Sequence, residues 1–208
     1  MYIEGSIEKY LNDLAAKKPA PGGGSAAALQ AAAGVALMSM VVNYTIGNPK
    51  YKEHEDKARE MLKKCEEARK NLQSLVDADV EAYTRLSEAL NTGKGNGQRS
   101  AEEALKLDAA YKEALIPPYE VCWTSANCMK LCAELVNFGN KNLVTDTATA
   151  AIFLEGAFFA AKYSVYANLK YIKDMDFIGS IHNMLQPLEE KMPKMKEEIL
   201  EKCEEVIK

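Results

Sequence analysis

Two polar side chains interrupt helical stripes that are otherwise largely apolar. The residues of each stripe are three or four positions apart; one stripe contains Asp79 and a later stripe contains Asn168. The stripes are Leu72, Val76, Asp79, Tyr83, Leu86, Leu90 and Leu154, Phe158, Ala161, Val165, Asn168, Ile172. A carboxylate is costly to bury unless it is paired or hydrogen-bonded, so Asp79 either fixes the register of packed helices or performs chemistry. Asp77 lies about 200° further around the same helix and therefore faces elsewhere.

A run of prolines and glycines offers a second kind of chemistry. The sequence Pro-Ala-Pro-Gly22-Gly23-Gly24-Ser25 leads into an alanine-rich segment. Glycines let backbone N–H groups approach a ligand closely, and the positive end of the helix dipole points back at the turn. The turn could hold an anion or the polar edge of a heterocycle, or it could simply be a tight entry into a closely packed helix. It is not a P-loop, because no Gly-Lys-Ser/Thr follows it.

A third group of polar residues falls between two helical segments. Asn140, Asn142 and Asp146 lie within seven residues of one another. Capping of the next helix explains Asp146 or the preceding Thr145, but it does not explain both asparagines. We therefore regard the three side chains as candidate ligand-binding residues.

The elements that must position these residues are helices. Turn and capping signals predict helices over about 6–17, from the glycine run to 44, 51–91, 100–138 with a break or kink at Pro117-Pro118, and 145–173. Ser100 and Glu103 predict a capping box at the start of the fourth helix. Residues from 176 onwards are predicted to be helical with interruptions at Pro187 and Pro193, and 92–97 to form a glycine-rich connector. Strand signals are almost absent. The prediction is an all-α bundle of long antiparallel helices, forming a single domain over 1–208.

Composition excludes several classes of function. The net charge of −4 and the lack of a basic block argue against a nucleic-acid partner. The five cysteines form no CxxC pair, so reduced thiols are favoured over a metal site, although Cys128 and Cys132 are one helical turn apart. The apolar window 26–42 is typical of a buried core helix, not of a membrane span. With no signal peptide evident, we expect a cytoplasmic protein without a membrane partner.

Five motifs, in this order, resemble one known family. They are PAPGGGSAAA; Asn43-Tyr44-Thr45-Ile46-Gly47 with Tyr51; Asp79-Val80-Glu81-Ala82-Tyr83; Gly139-Asn140-x-Asn142 with Asp146; and Tyr166-Ala167-Asn168. Each is weak alone, but their order and intervals resemble the formiminotetrahydrofolate cyclodeaminase and methenyltetrahydrofolate cyclohydrolase family. The resemblance covers about residues 7–173.

The resemblance implies an enzyme of folate one-carbon metabolism. Cyclohydrolase activity, which converts 5,10-methenyltetrahydrofolate to 10-formyltetrahydrofolate, is expected first because stand-alone chains of this length resemble that branch. Cyclodeaminase activity, which releases ammonia from 5-formiminotetrahydrofolate, is the alternative; a folate-binding protein without turnover and a structural bundle remain open. The family is typically dimeric, so a homodimer is expected.

Site roles follow from the resemblance together with the residue types. Asp79 and Asp146 are the expected catalytic carboxylates. The expected substrate-binding residues are Gly22, Gly23, Gly24, Ser25, Asn43, Tyr83, Asn140, Asn142 and Asn168. No metal or other cofactor is expected, and the folate itself is the substrate.

Overall fold

Six helices make up most of the protein. The computed structural model describes residues 1–92 and 100–208, and this part of the chain contains no strand. The helices are α1 (Ile7–Ala15), α2 (Gly23–Asn43), α3 (Glu55–Asn91), α4 (Ala101–Phe138), α5 (Val144–Leu169) and α6 (Met175–Ile207). The all-α prediction is confirmed, whereas the predicted connector falls mostly outside the described residues.

The helix starts follow local capping chemistry. The Ser100 side chain accepts a hydrogen bond from the Glu103 backbone, and the Glu103 carboxylate accepts one from the Ser100 backbone, which confirms the predicted capping box. The Ser6 side chain caps α1 by accepting a hydrogen bond from the Lys9 backbone N–H. The third helix starts later than predicted, because Pro49–His54 forms a separate 3-10 helix before α3. A second 3-10 helix, Lys141–Leu143, precedes α5.

Helices α2, α3, α4 and α5 enclose the core, and α6 packs across α4 and α5. Helix α2 carries no charged residue, and small residues allow its neighbours to approach. A Cβ at Gly34 would lie only 3.2 Å from Phe153 Cβ and 3.3 Å from the Ala150 carbonyl. Gly23 lies near Ser164 and Gly34 near Phe153, so α2 and α5 run antiparallel.

Internal prolines do not end the long helices. Helix α6 is continuous through Pro187 and Pro193, so the interruptions predicted there are wrong. Pro187 is exposed, and a proline removes one backbone hydrogen bond without preventing the helix from continuing beyond it. Helix α4 likewise continues through Pro117 and Pro118.

Two helical segments are long and apolar enough to cross a membrane by length and composition. They are Gly23–Asn43 and Lys141–Leu169. The apolar window of the first is 61% buried within the protein, which agrees with the prediction of a core helix. The window of the second is only 33% buried, so much of its apolar surface faces outwards.

Candidate active site

A cavity of about 280 Å³ opens where the start of α2 meets the middle of α3 and the end of α5. We call it the Asp79 pocket. It collects residues from four separate stretches of sequence, including six of the predicted site residues. Its walls are formed by Pro19, Ala20, Gly22, Gly23, Gly24, Asp79, Tyr83, Ala114, Ser164, Ala167 and Asn168.

The backbone of residues 22–25, which we call the glycine turn, binds the Asp79 carboxylate. The backbone N–H of Ser25 donates to Asp79 Oδ2 at 2.9 Å. A Cβ on Gly24 would lie 2.1 Å from Asp79 Oδ1, a distance that no side chain could tolerate. Glycine is therefore required at position 24 because helix α3 presents its carboxylate directly against the backbone of α2.

The surroundings of Asp79 favour its protonated form. Burial raises the pKa of its carboxyl to about 6 from an ordinary value of 3.8, and the hydrogen bond from Ser25 opposes part of that rise. A carboxyl with this pKa is mostly ionised at pH 7 yet accepts a proton readily. Those are the properties of a general base that works near neutral pH.

Ser25 is itself held from two sides. Its hydroxyl donates to the Val76 carbonyl at 2.9 Å and lies 3.2 Å from the Tyr10 hydroxyl. Because the one Ser25 proton is used on Val76, Tyr10 is the donor in the second contact. Ser25 is fully buried, so it supports the turn and offers only its backbone N–H to Asp79. Sequence analysis did not identify Tyr10, which lies on a different helix.

Asp77 is more buried than Asp79, with 7% of its surface exposed. It faces away from the pocket as predicted, and its carboxylate accepts the backbone N–H groups of Tyr2 and Ile3. It therefore ties the N-terminal segment to α3. No side-chain pattern could reveal this role, because both donors are backbone groups.

Asn168 and Tyr83 border the pocket on its other sides. The Asn168 side-chain nitrogen donates to the carbonyls of Ala114 (3.2 Å) and Ser164 (3.1 Å). Tyr83 keeps 44% of its surface exposed. Asn168 is thus fixed, whereas Tyr83 is available to cover a bound ring.

The remaining predicted residues gather at the opposite end of the bundle. Asn140 is buried and connects α5 to the end of α2: its backbone N–H donates to Thr45 Oγ1 and its side chain donates to the Tyr44 carbonyl, both at 2.9 Å. Its side-chain oxygen accepts from the Asn142 backbone and the Tyr51 hydroxyl. Every polar atom of the Asn140 side chain is therefore used within the protein.

Asn43 and Asn142 are exposed at this end, and Asp146 lies in the first turn of α5. We call Asn43, Asn140, Asn142 and Asp146 the asparagine end. Asp146 and Asn168 are separated by 22 positions on one helix, or about 33 Å. A single chain therefore does not bring Asp146 to the Asp79 pocket.

The cysteines form no part of either group. All five are buried, and burial raises the pKa of the Cys65, Cys122 and Cys128 thiols to about 12. Within residues 1–92 and 100–208, no three His, Cys, Asp or Glu side chains come together as metal ligands would.

Comparison with known proteins assigns this arrangement to a family. A family model described as formiminotransferase-cyclodeaminase matches residues 6–187. The chain belongs to the formiminotransferase-cyclodeaminase family. The resemblance inferred from the five motifs is thereby confirmed.

Relatives within the family differ in length and in name. The methenyltetrahydrofolate cyclohydrolase of Methylorubrum extorquens is 35% identical over 172 residues, which are 83% of each chain. The formimidoyltransferase-cyclodeaminase of Mus musculus is 31% identical over 89% of this chain but only 34% of its own length. The crystal structure of formiminotetrahydrofolate cyclodeaminase from Thermotoga maritima matches with a TM-score of 0.87 and 28% identity, over 98% of both chains.

Proposed function

We propose that this protein is a methenyltetrahydrofolate cyclohydrolase, which adds water to 5,10-methenyltetrahydrofolate and yields 10-formyltetrahydrofolate. The observation that carries the proposal is the Asp79 carboxylate, half-buried in the pocket and held there by the glycine turn. The substrate is a cationic amidinium, so an anion at this position attracts it. Two relatives of similar length are a cyclohydrolase, at 35% identity, and a cyclodeaminase, at 28% identity, and the higher identity supports the cyclohydrolase activity.

In the first step Asp79 acts as general base. Water attacks the amidinium carbon between N5 and N10, and its proton passes to the carboxylate. The substrate cation becomes a neutral tetrahedral adduct. A pKa of about 6 suits Asp79 for this transfer. The cationic substrate lowers this raised pKa when it binds, which keeps the carboxylate ionised until water attacks.

In the second step the carbon–N5 bond breaks. The protonated Asp79 gives its proton to N5, the hydroxyl proton of the adduct leaves to solvent, and the carbonyl of the formyl group forms on N10. The net reaction consumes one water and releases one proton. No redox step occurs, and Asp79 carries the proton that passes from the attacking water to N5.

The size of the pocket fits the ring system of the substrate. A volume of about 280 Å³ is at the lower end of the range for small-molecule sites. It accommodates the fused rings around the reacting carbon, while the benzoylglutamate part extends outwards. Gly22 and Gly23 line the pocket, so the backbone can approach the ring edge there.

The test is a direct assay of turnover. Purified protein should accelerate the loss of methenyltetrahydrofolate absorbance over buffer alone. The variant Asp79→Asn should lose this acceleration while its helical circular dichroism is retained. A wild-type protein that leaves the absorbance unchanged would overturn the proposal, and full activity in Asp79→Asn would overturn the assignment of the base.

A cyclodeaminase is the second candidate, favoured by the close structural match to the Thermotoga maritima cyclodeaminase. In that reaction N10 attacks the formimino carbon and ammonia leaves, so the same base could serve. Incubation with 5-formiminotetrahydrofolate and measurement of released ammonia distinguishes the two. The ratio of the two specific activities decides which function dominates.

We further propose that the working form is a cytoplasmic homodimer in which α2 and α5 face a second copy. Of the charged residues on these two helices, Glu155 and Lys162 pair with residues of α6, and Asp146, in the first turn of α5, is the one left for their outer surfaces. These surfaces consist of Gly23, Ala26, Gln30, Ala33, Leu37, Met40 and Tyr44 on α2 with its cap, and Thr145, Thr149, Ile152, Gly156, Ala160, Tyr163 and Ala167 on α5. Ile152 and Tyr163 are 48% and 69% exposed, a cost that burial against a second copy would remove.

Two-fold symmetry would also give the asparagine end a function. If the α5 helices of two copies cross antiparallel, Asp146 of one copy approaches the Asp79 pocket of the other. Asp146 would then act as a second carboxylate in a shared site. The single chain, which separates these residues by about 33 Å, supports a shared site over a site within one subunit.

Sedimentation and subunit mixing test the dimer and the shared site separately. Ile152→Asp should give monomers, whereas Leu105→Asp, at a more exposed position on α4 away from this surface, should not. Inactive Asp79→Asn and Asp146→Asn, refolded together in equal amounts, should recover about a quarter of wild-type activity, because half the dimers carry one intact site. Full activity in Asp146→Asn would contradict the shared site.

A further inference from the structure

The proline pair of α4 lies beside the Asp79 pocket. In an α-helix the carbonyl of residue 114 accepts from the backbone N–H of residue 118. Residue 118 is proline and has no N–H, so the Ala114 carbonyl lacks its helical donor. Ala114 lines the pocket, and Asn168 donates to this same carbonyl at 3.2 Å. Pro118 therefore creates the acceptor that Asn168 uses.

The amide of Asn168 is thereby oriented. Its nitrogen has two protons, and these have two carbonyl partners, Ala114 and Ser164. Both partners can only accept, so the nitrogen must face them. The amide oxygen is then on the other side of the planar group. It has no hydrogen-bond donor among the described residues, although the side chain lines the pocket.

We propose that Pro118 is a positioning residue that makes Asn168 present its oxygen, and not its nitrogen, to the ligand. This inference rests on the proposed function. A fixed acceptor beside Asp79 selects for ligands that bring an O–H or N–H to that point, such as the attacking water or a ring N–H. The negative end of the amide dipole also favours the cationic amidinium over its neutral product.

The experiment compares the two neighbouring prolines. Pro118→Ala restores an N–H that competes with Asn168 for the Ala114 carbonyl. Pro117→Ala is the matched control, because residue 117 is also buried in α4. The backbone N–H that this change restores donates to the Glu113 carbonyl, to which Asn168 does not bond. We expect kcat/KM to fall about fivefold in Pro118→Ala, the effect of weakening one neutral hydrogen bond, and less than about twofold in Pro117→Ala.

Thermal stability and a double variant separate positioning from folding. Removing a proline from a helix interior should leave the melting temperature unchanged or raise it in both variants. A loss of activity confined to Pro118→Ala therefore cannot come from unfolding. In an Asn168→Ala background the same change should have no further effect. Equal losses in both proline variants, or an undiminished loss without Asn168, would overturn the proposal.

A measurement without substrate distinguishes a failure of this inference from a failure of the proposed function. In protein labelled with ¹⁵N-asparagine, the Asn168 side-chain signals are assigned by their absence in Asn168→Ala. The proton bonded to Ala114 should exchange faster with solvent in Pro118→Ala than in Pro117→Ala. Identical exchange in both would refute the positioning role even if turnover is observed, whereas absent turnover with the expected exchange would refute only the function.

Discussion

The contact between Gly24 and Asp79 makes Gly24→Ala the most direct test of the site. The added Cβ would lie 2.1 Å from Asp79 Oδ1 and 2.7 Å from Asp79 Cγ. The carboxylate must retreat by about 1 Å or more to restore van der Waals contact. Its hydrogen bond from the Ser25 N–H, now 2.9 Å, would then exceed any useful length.

The cost of this displacement is expected mainly in catalysis. A shift of about 1 Å in a catalytic group lowers the rate about 100-fold, which is about 2.7 kcal/mol in the barrier. Stability should change little, because alanine in a helix gains up to about 1 kcal/mol over glycine and the lost hydrogen bond costs about the same. Loss of the Ser25 donor also removes the one contact that lowers the Asp79 pKa, so the acid limb of the pH profile should move above pH 6.

Gly179→Ala supplies the control, because a Cβ at this position of α6 meets nothing within 4 Å and α6 does not line the Asp79 pocket. Cyclohydrolase rates from pH 5 to 8.5 and urea unfolding should be measured for both variants. Gly179→Ala should stay within about threefold of wild type, in line with one added methyl in open space. If Gly24→Ala matched it in rate and pH profile, the close approach of α2 to Asp79 would have no part in catalysis.

Four further predictions concern the pH–rate profile, the stability effect of Asp79, a buried hydrogen bond and the thiols. The wild-type rate should rise with pH through an apparent pKa near 6, because only ionised Asp79 accepts a proton, and pH–rate measurements should show this limb. The raised pKa also means that the folded protein binds the Asp79 proton more tightly than the unfolded chain does, so the contribution of Asp79 to stability falls as pH rises from about 4 to 6. Solvent reaches this partly exposed carboxylate and reduces the effect. Asp79→Asn should therefore be about 1–2 kcal/mol more stable than wild type at pH 7.5, and by less at pH 4.5, in urea titrations. Thr45→Val should lose about 1–3 kcal/mol in the same assay, because it leaves the buried Asn140 N–H without an acceptor. The five cysteines should react with a thiol reagent at pH 8 only on unfolding, since all are buried; rapid labelling of the native protein would contradict this.

Residues that act through local patterns could be predicted from the sequence. A charged residue in an apolar stripe identified Asp79, and a proline–glycine run identified the turn that grips it. Both signals depend on helical spacing and backbone freedom, which a single sequence records. The bundle itself followed from the same periodicity, and the capping box at Ser100 was predicted from two residue types.

Residues that act through long-range backbone contacts could not be predicted. Asp77 binds the N–H groups of Tyr2 and Ile3, and every residue except proline carries such a group. Tyr10 reaches Ser25 from another helix. The separation of the two groups of predicted site residues, in contrast, follows from the sequence, because Asp146 and Asn168 both fall in the helix predicted over 145–173 and so lie about 33 Å apart.

Comparison of Asp79 with Asp13 explains why the former is suited to chemistry. Asp13 accepts from Lys9, Lys18 and the Tyr2 hydroxyl, and these donors hold its pKa well below the ordinary value. Burial raises the pKa of Asp79 by more than the hydrogen bond from the Ser25 backbone lowers it, so its pKa lies above the ordinary value. A carboxylate that is fully satisfied cannot take a proton from water near neutral pH. The glycine turn gives Asp79 enough support to fix its position, but too little to stabilise its charge completely, and the substrate cation can supply the remainder.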